Sequence, residues 1–238
     1  MKLIIDIGNT STKLALFDRK EIVRTSNIDE CDLLKVERFI SSDIISSSII
    51  SSVKEINNEV SSFLSCYNAI ILTNKTKVPL TNKYKTPETL GKDRLAGVIG
   101  ATFLYPKKDI LVLDAGTCLT IDFVSAKKEY IGGRISPGIK MRFKALQTFT
   151  DQLPLVHQEN IENYIGNDTE SSISSGVHQG ILAEVKLIIS EYKLRNPDTI
   201  VVFTGGDCFF FDKELKNSIF AHPNLVFIGL NEILDYNE

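Results

Sequence analysis

Two stretches of the chain carry the same pattern of apolar and polar positions. In residues 3–18 an apolar run ends at one carboxylate, Asp6, a Gly-Asn-Thr turn follows, and apolar residues return in alternation. Short apolar runs on either side of a tight polar turn predict two β-strands joined by a hairpin. Residues 110–123 repeat this order, with Asp114 in the place of Asp6. The pattern therefore predicts two related hairpins, each with a carboxylate at the end of its first strand.

The repeat predicts an internal duplication of the whole fold. Aligning the two carboxylates superposes two further pairs, Gly8 on Gly116 and Thr12 on Thr120. Beyond each hairpin, strands and amphipathic helices alternate, which is typical of an α/β fold with a mixed sheet in each half. We therefore predict two similar halves, residues 1–107 and 108–238, each offering one hairpin to a nucleotide cleft between them.

The remaining periodicity predicts further elements with less regular signals. A Ser52/Glu55 capping box predicts a helix to about Ser65, and Thr86 before Pro87 predicts the start of a helix that continues to Tyr105. Other predicted elements include a strand over 129–135 that runs into a loop over 132–138, an amphipathic helix over 177–192, a strand over 226–228 and a helix over 231–236.

The first hairpin has the chemistry of a phosphate cradle. Gly8 allows the backbone to approach a ligand closely, and the N–H and hydroxyl groups that follow it can converge on anionic oxygens. A carboxylate among these donors does not favour phosphate by itself, so a cation is expected between Asp6 and the phosphates. Lys13 has two interpretations: it reaches a phosphate, or it projects from the solvent side of the strand.

Two other segments are candidates for chemistry. The Thr204-Gly205-Gly206 turn follows an apolar strand and would let backbone approach a flat or anionic group, although such turns are often only turns. In Gly91-Lys92-Asp93-Arg94 the charges could be a surface salt bridge. Alternatively, Asp93 is a general base for a substrate hydroxyl and Arg94 holds a carboxylate or carbonyl of that substrate.

Composition and charge exclude several classes of protein. A net charge of −3 over 238 residues lacks the basic excess of a nucleic-acid binder. No apolar stretch reaches the length of a membrane span, and Asp6 interrupts the apolar start, so a signal peptide is not expected. The four cysteines form no C-x-x-C pair and the three histidines are isolated, which favours reduced thiols in a cytoplasmic protein over disulfides or zinc.

Taken together, these motifs resemble those of the type III pantothenate kinases, in the superfamily of actin, sugar kinases, acetate kinase and Hsp70. Asp6-Ile7-Gly8-Asn9-Thr10 matches the first phosphate motif, Asp114-Ala115-Gly116-Thr117 the second, and Thr204-Gly205-Gly206 the adenosine motif. Gly91-Lys92-Asp93-Arg94, preceded by Tyr84 and Pro87, and the segment 132–138 are typical of this family in particular. The resemblance implies a duplicated actin-like, ribonuclease H-like ATPase fold. The sequence departs from the common family pattern at Cys118-Leu119-Thr120 and at Thr86. Neither departure changes Asp6, Asp93 or Asp114.

The resemblance also implies a role for each motif residue. Asp93 would accept the proton of the pantothenate hydroxyl, and Asp114 would bind a monovalent cation, K⁺ or NH₄⁺. ATP and Mg²⁺ would be held by Asp6, Ile7, Gly8, Asn9, Thr10, Ser11, Thr12, Lys13, Thr117, Gly205 and Gly206. Pantothenate would be held by Tyr84, Gly91, Lys92, Asp93, Arg94 and Thr169. The family works as a homodimer.

The leading hypothesis is therefore an ATP-dependent kinase that converts pantothenate to 4′-phosphopantothenate, the first step towards coenzyme A. Two alternatives remain open at this point. One is a kinase for a different small hydroxyl substrate, and the other is a non-catalytic nucleotide-binding regulator on the same fold. A regulator would be free to lose a site carboxylate, so the presence of Asp6, Asp93 and Asp114 favours the enzyme.

Overall fold

The computed structural model describes residues 1–29, 32–54, 60, 62, 65–157, 164–215 and 219–238. Its strands are β1 (Lys2–Ile7), β2 (Thr12–Asp18), β3 (Glu21–Ile28), β4 (Ser47–Ser52), β5 (Ala69–Ile71), β6 (Thr81–Asn82), β7 (Ile110–Ala115), β8 (Cys118–Val124), β9 (Glu129–Pro137), β10 (Ile200–Thr204) and β11 (Phe220–Ala221). Its helices are α1 (Leu33–Ile40), α2 (Lys92–Leu104), α3 (Ile139–Thr148), α4 (Thr169–Arg195), α5 (Cys208–Glu214) and α6 (Leu225–Asn237). The helix predicted to start at Ser52 falls largely on residues outside the described ranges.

The two sheets have the same strand order, which confirms the duplicated, mixed α/β fold. The first sheet runs β3-β2-β1-β4-β5. Written in the same direction, the second runs β9-β8-β7-β10-β11, with β6 as an extra strand beside β9. In the first, β1 is antiparallel to β2 and parallel to β4. In the second, β7 is likewise antiparallel to β8 and parallel to β10. The carboxyl ends of the central strands therefore carry the two aspartate motifs in equivalent positions.

The chain folds into two compact units whose composition differs from that of the predicted halves. Unit 1 contains residues 1–107, 125–131 and 224–238, and unit 2 contains residues 108–124 and 132–223. The boundary after residue 107 coincides with the predicted one. Two segments of the predicted second half nevertheless belong to unit 1, because residues 129–130 pair with β6 and α6 packs along α2.

Each unit has its own apolar core between sheet and helices. In unit 1 the core joins the buried faces of β1 and β2, through residues such as Leu3 and Leu16, to Val36 and Ile40 of α1. In unit 2 it joins β7, β8 and β10 to the buried face of α4, where the predicted apolar positions over 177–192 are confirmed as a helix face. These cores hold the central strands rigidly.

The superposition of Thr12 on Thr120 is wrong by one position. Asp6 lies opposite Lys13 across the first hairpin, whereas Asp114 lies opposite Thr120 across the second. The second turn is one residue shorter, so Thr120 occupies the place of Lys13 rather than that of Thr12. One missing turn residue therefore replaces an ammonium group by a hydroxyl beside the aspartate.

The helix predicted to begin at Thr86 begins later. Pro87–Thr89 forms a single 3₁₀ turn, and the Thr86 side chain makes no capping bond to it. Leu90 is buried and extended, and Gly91 then caps α2. Burial of Leu90 outweighs local helix propensity at this point, and it sets Lys92 and Asp93 in the first turn of α2.

Two other predictions near glycine or apolar runs are corrected by the structure. The segment predicted as a loop over 132–138 is mostly strand, since β9 extends to Pro137. The strand predicted over 226–228 lies within α6. A three-residue apolar run has no distinctive period, and packing against α2 decides for helix.

Within the described ranges, none of the helices combines the length and apolarity that a bilayer crossing needs.

Two glycines allow α2 and α6 to approach closely. A Cβ on Gly229 would overlap the carbonyl oxygen of Ala96, and a Cβ on Gly100 would overlap that of Leu225. Both obstacles are backbone atoms, which cannot rotate away. The helix that begins with the Gly91–Arg94 segment is therefore held by a backbone-to-backbone contact that other side chains would break.

We predict that Gly229→Ala lowers the free energy of unfolding by about 3 kcal/mol, the upper end of the usual cost of overpacking a core. Gly180→Ala is the matched control, because Gly180 is also helical but has open space around it. That control should gain about 1 kcal/mol from helix propensity. Urea denaturation of both variants measures the difference, and equal effects would contradict the close-contact interpretation.

Candidate active site

In unit 1 the site is built around Asp6, at the carboxyl end of β1. Its neighbours across the sheet are Lys13 on β2 and Ser51 on β4. Residues that lie opposite one another in adjacent strands project to the same face. Asp6 is buried and only 8% exposed, whereas Lys13 is exposed. A carboxylate, an ammonium group and a hydroxyl thus lie on the same face of the first sheet, near the carboxyl end of β1.

Burial raises the pKa of Asp6 above its ordinary value, because the charged form loses solvation. The Ser51 hydroxyl and the charge of Lys13 act in the opposite direction, and the charge of Asp93 raises the pKa further. Asp6 and Asp93 therefore lie close enough for their charges to interact, although 86 residues of chain separate them. Two carboxylates that repel one another form a site that a cation would stabilise.

The turn after Asp6 closes on itself. The Gly8 N–H donates to the Ser11 carbonyl at 3.0 Å. Asn9 and Thr10 are exposed and Ser11 is half-buried, so their polar groups are accessible to a ligand. Thr12 begins β2 with a buried side chain. Accessible donors are thus concentrated on the three turn residues.

The Gly91–Arg94 segment places its side chains through the first turn of α2. The Lys92 ammonium donates to the Ser52 carbonyl at 2.9 Å, at the end of β4. This bond ties the helix start to the strand beside β1, and so holds Asp93 near Asp6. The Asp93 carboxylate accepts from the Arg94 backbone N–H at 2.8 Å. A Cβ on Gly91 would come within 2.6 Å of that carboxylate, so glycine leaves the space that Asp93 occupies.

Arg94 and Tyr84 form the other part of the predicted acceptor pocket. Arg94 is 7% exposed, and its guanidinium lies 5.7 Å from the centre of the Tyr84 ring. Tyr84 in turn stacks on Tyr130, with ring centres 6.0 Å apart. Lys92 faces elsewhere: besides its bond to Ser52, it lines a cavity of about 310 Å³ together with Asn82, Glu88 and Leu90. The structure thus brings Tyr84 and Arg94 together and assigns Lys92 a structural contact.

In unit 2 the equivalent carboxylate is Asp114, at the end of β7. Opposite it, the Thr120 hydroxyl is buried and has no hydrogen-bond partner among the described residues. Gly205 lies against Asp114 with a φ of +89°, and its Cβ would come within 2.5 Å of the Ala115 carbonyl oxygen. The Asp207 N–H donates to that same carbonyl at 2.9 Å. The Gly205-Gly206 turn is therefore seated directly on the end of the second aspartate strand.

The second turn also contacts the start of α3. The Gly138 N–H donates to the Thr117 carbonyl at 3.2 Å. A Cβ on Gly138 would come within 2.6 Å of that oxygen and would overlap the carbonyl of Gly116. Gly138 thus lets the amino end of α3 approach the turn, where its backbone donors and partial positive charge favour anions.

Thr169 lies apart from these turns, at the first position of α4. Asp168 caps this helix, accepting from the Ser171 N–H at 2.8 Å. Thr169 is exposed at the edge of an apolar groove of about 1400 Å³ in unit 2. Other lining residues are Met141, Leu146, Phe149, Leu153 and Ile173.

Sequence reasoning did not identify Ser51, Tyr130 or Thr120 as neighbours of the site residues. Ser51 is one of several serines in its stretch, and only the pairing of β4 with β1 selects it. Tyr130 is an aromatic residue in an unremarkable strand. The one-residue difference in turn length could have identified Thr120, since counting from each aspartate places it opposite Asp114.

The residues present fit the cations that the motifs imply. Asp6 is buried beside a second carboxylate, which favours a divalent ion with phosphate oxygens as further ligands. Asp114 has the buried Thr120 hydroxyl opposite it, so a cation there would meet a carboxylate and a neutral oxygen, with no lysine beside it to repel it. Across the described ranges, no three His, Cys, Asp or Glu side chains converge on one point. A metal at Asp6 would therefore depend on its substrate for ligands.

We predict that Asp6→Asn raises the melting temperature of the ligand-free protein at pH 7–8. Folding raises the pKa of Asp6, so the ionised carboxylate destabilises the folded state above that pKa. The gain should shrink towards zero below about pH 4, where folded and unfolded chains both carry the proton. Thermal unfolding in EDTA across this range measures it. Asp18→Asn, at an exposed position, is the control, and a lower melting temperature for Asp6→Asn at pH 8 would contradict the prediction.

Comparison with solved structures agrees with the fold. A protein from Campylobacter jejuni, provisionally described as a Baf family transcriptional activator, superposes with a TM-score of 0.63 at 22% identity, over 99% of this chain and 98% of that one. A glucokinase from an Antarctic psychrotroph superposes with a TM-score of 0.54 at 13% identity, over 99% and 98% of the two chains. At these identities the likeness concerns the fold alone, and it agrees with a duplicated actin-like fold.

Sequence comparison is more specific. The type III pantothenate kinase of Phocaeicola vulgatus is 45% identical over 240 residues, covering 100% of this chain and 99% of the relative. That of Christiangramia forsetii is 41% identical over 241 residues, with the same coverage. The family model for type III pantothenate kinase matches residues 2–191. The two aspartate hairpins and the Gly91–Arg94 turn thus lie in a chain that belongs to the type III pantothenate kinase family.

Proposed function

We propose that this protein transfers the γ-phosphoryl group of ATP to pantothenate, giving ADP and 4′-phosphopantothenate, the first step of coenzyme A biosynthesis. Family membership supports the substrate. The observation that supports the proposal best is the bond from Lys92 to the Ser52 carbonyl at the end of β4, which keeps the neighbouring Asp93 within range of the charge of Asp6. A kinase needs a base close to its phosphate-binding carboxylate, and Asp93 would serve as that base.

Asp93 is the general base in this mechanism. The primary hydroxyl oxygen of pantothenate attacks the γ-phosphorus in line, and its proton passes to the Asp93 carboxylate. The bond between the γ-phosphorus and the bridging oxygen breaks, and ADP carries away the electron pair. Asp93 already accepts the Arg94 N–H on one oxygen, which keeps the carboxylate oriented for this transfer.

The two aspartate hairpins hold the phosphates. Asp6 would bind Mg²⁺, and the polar groups of Asn9, Thr10 and Ser11 would donate to phosphate oxygens. Asp114, with the Thr120 hydroxyl opposite, would bind K⁺ or NH₄⁺. Both cations would supply charge neutralisation for the phosphates. In unit 2, Thr117 and the Gly205-Gly206 turn present backbone groups to the nucleotide, because neither glycine carries a side chain that would block it.

Arg94 and Tyr84 recognise the acceptor. The guanidinium presents a planar set of donors that suits the carboxylate or an amide oxygen of pantothenate. Its position over the Tyr84 ring limits its rotation, so fewer conformations are lost when the acceptor binds.

We further propose that the protein is a homodimer that uses the apolar groove of unit 2. Phe149 is 85% exposed and Met141 39% exposed at this groove, next to Thr169. Large exposed apolar surfaces are typical of interaction sites, and twofold pairing is the commonest solution. A partner seated there would bring its own residues close to Thr169.

We predict that ADP release from ATP requires both pantothenate and K⁺ or NH₄⁺, and that Na⁺ supports it poorly. Asp93→Asn should lower kcat by about 100-fold to 10,000-fold, the usual contribution of a general base, while nucleotide binding is retained. A coupled ADP assay measures the rate, and mass spectrometry identifies the phosphorylated product.

Glu88→Gln is the matched control for this experiment, since it removes an exposed carboxylate five residues away. It should leave kcat within about twofold, because it takes no part in proton transfer. Turnover with a different hydroxyl acceptor would refute the pantothenate assignment. ATP binding without turnover on any acceptor would instead favour a regulatory role on this fold.

We predict that Phe149→Asp converts a dimer to a monomer. The charge would have to be buried without a partner at the interface, which opposes association strongly. Light scattering after size exclusion measures the mass. Leu194→Asp is the control, because Leu194 is equally exposed, at 83%, near the end of α4. A monomeric wild type, or a dimer in Phe149→Asp, would contradict the proposed interface.

A further inference from the structure

Among the residues that the structure describes, Tyr130 is the largest fully buried side chain, with no exposed surface. It lies on β9, and the chain segment that carries it, residues 125–131, belongs to unit 1 although its neighbours in sequence belong to unit 2. Its ring lies against the half-buried ring of Tyr84, with a 21° angle between the two planes. A fully buried ring has little freedom to move, so it provides a fixed surface for its neighbour.

Backbone hydrogen bonds also hold the segment before Tyr84 against the start of β9. β6 pairs with the start of β9, with Asn82 opposite Tyr130. The Lys83 N–H donates to the Tyr130 carbonyl at 2.9 Å, and the Thr81 N–H donates to the Lys128 carbonyl at 2.8 Å. Tyr84 is therefore anchored by hydrogen bonds just before it and by ring stacking on Tyr130.

Arg94 depends on this arrangement in turn. Its guanidinium lies over the Tyr84 ring, 5.7 Å from the ring centre. A buried cation of this kind gains from an aromatic face that cannot tilt away. The order of contacts is thus Tyr130, then Tyr84, then Arg94, from the buried interior towards the predicted acceptor pocket.

We propose that Tyr130 is a positioning residue of the acceptor site, which sets the plane of Tyr84 and, through it, the direction of the Arg94 guanidinium. The inference rests on the proposed function, because it assigns Tyr84 and Arg94 to acceptor binding. The useful group is the ring of Tyr130 rather than its hydroxyl, since stacking needs only the flat surface. Acceptor affinity therefore depends on a strand that the sequence places beyond the second hairpin.

The first test compares Tyr130→Leu with Tyr130→Phe in steady-state kinetics. Tyr130→Leu keeps an apolar side chain but removes the flat ring, and should raise KM for pantothenate about tenfold, in line with the loss of stacking and cation–π contacts. KM for ATP and kcat should change less than twofold. Tyr130→Phe keeps the ring and should leave KM for pantothenate at its wild-type value.

Phe123→Leu is the matched control. Phe123 on β8 lies against Tyr192, and the Arg195 guanidinium lies 5.9 Å from the centre of the Tyr192 ring, so two aromatic rings and an arginine are also combined in unit 2. This control should lower thermal stability without changing KM for pantothenate. Equal increases in KM for both substrates in Tyr130→Leu, or the same KM change in Phe123→Leu, would overturn the proposal in favour of general loosening.

The second test does not depend on the substrate. The chain has no tryptophan, so Tyr84→Trp introduces a single indole at the stack. In that background, Tyr130→Leu should lower the fluorescence anisotropy of the ligand-free protein, and Tyr130→Phe should not. Unchanged anisotropy in Tyr130→Leu would overturn the positioning role. If wild type failed to phosphorylate pantothenate while the anisotropy result held, the proposed function would fail and the positioning of Tyr84 would stand.

Discussion

A buried carboxylate at the end of a central strand sets the conditions for the rest of unit 1. Asp6 loses solvation and faces the charge of Asp93, and only part of this cost is offset by Lys13 and Ser51. Such an arrangement persists only because the surrounding core is rigid enough to hold it. The destabilised Asp6 carboxylate also makes the site suitable for a cation and for phosphate chemistry, since a bound cation would offset the negative charge.

Three other features of unit 1 help to keep Asp93 in this position. The close packing of α2 on α6 through Gly100 and Gly229 holds the helix, and the Lys92–Ser52 bond holds its first turn. Gly91 then leaves room for the carboxylate. A substrate hydroxyl can be oriented only if its base is fixed to within a fraction of an ångström, so these distant contacts contribute directly to catalysis in the proposed mechanism.

Unit 2 repeats the same strand order but differs at one residue that alters its chemistry. Shortening the turn by one position places Thr120 opposite Asp114, where the first hairpin has a lysine. A duplicated scaffold thus presents one carboxylate with an ammonium neighbour and another with a hydroxyl neighbour. In the proposed mechanism, a cation at Asp6 has an ammonium group nearby, whereas a cation at Asp114 has a neutral hydroxyl nearby.

The sequence by itself determined the duplicated hairpins, the alternation of strands and helices, and the motif residues, because these depend on local periodicity and on residue types at fixed spacing. Tertiary structure decided the rest. Burial of Leu90 moved the start of α2 past Thr86, and packing on α2 turned residues 226–228 into helix. The neighbours Ser51 and Tyr130 come from strand pairings between segments far apart in the chain. Local pattern carries no information about such pairings, since they depend on which buried surfaces fit one another.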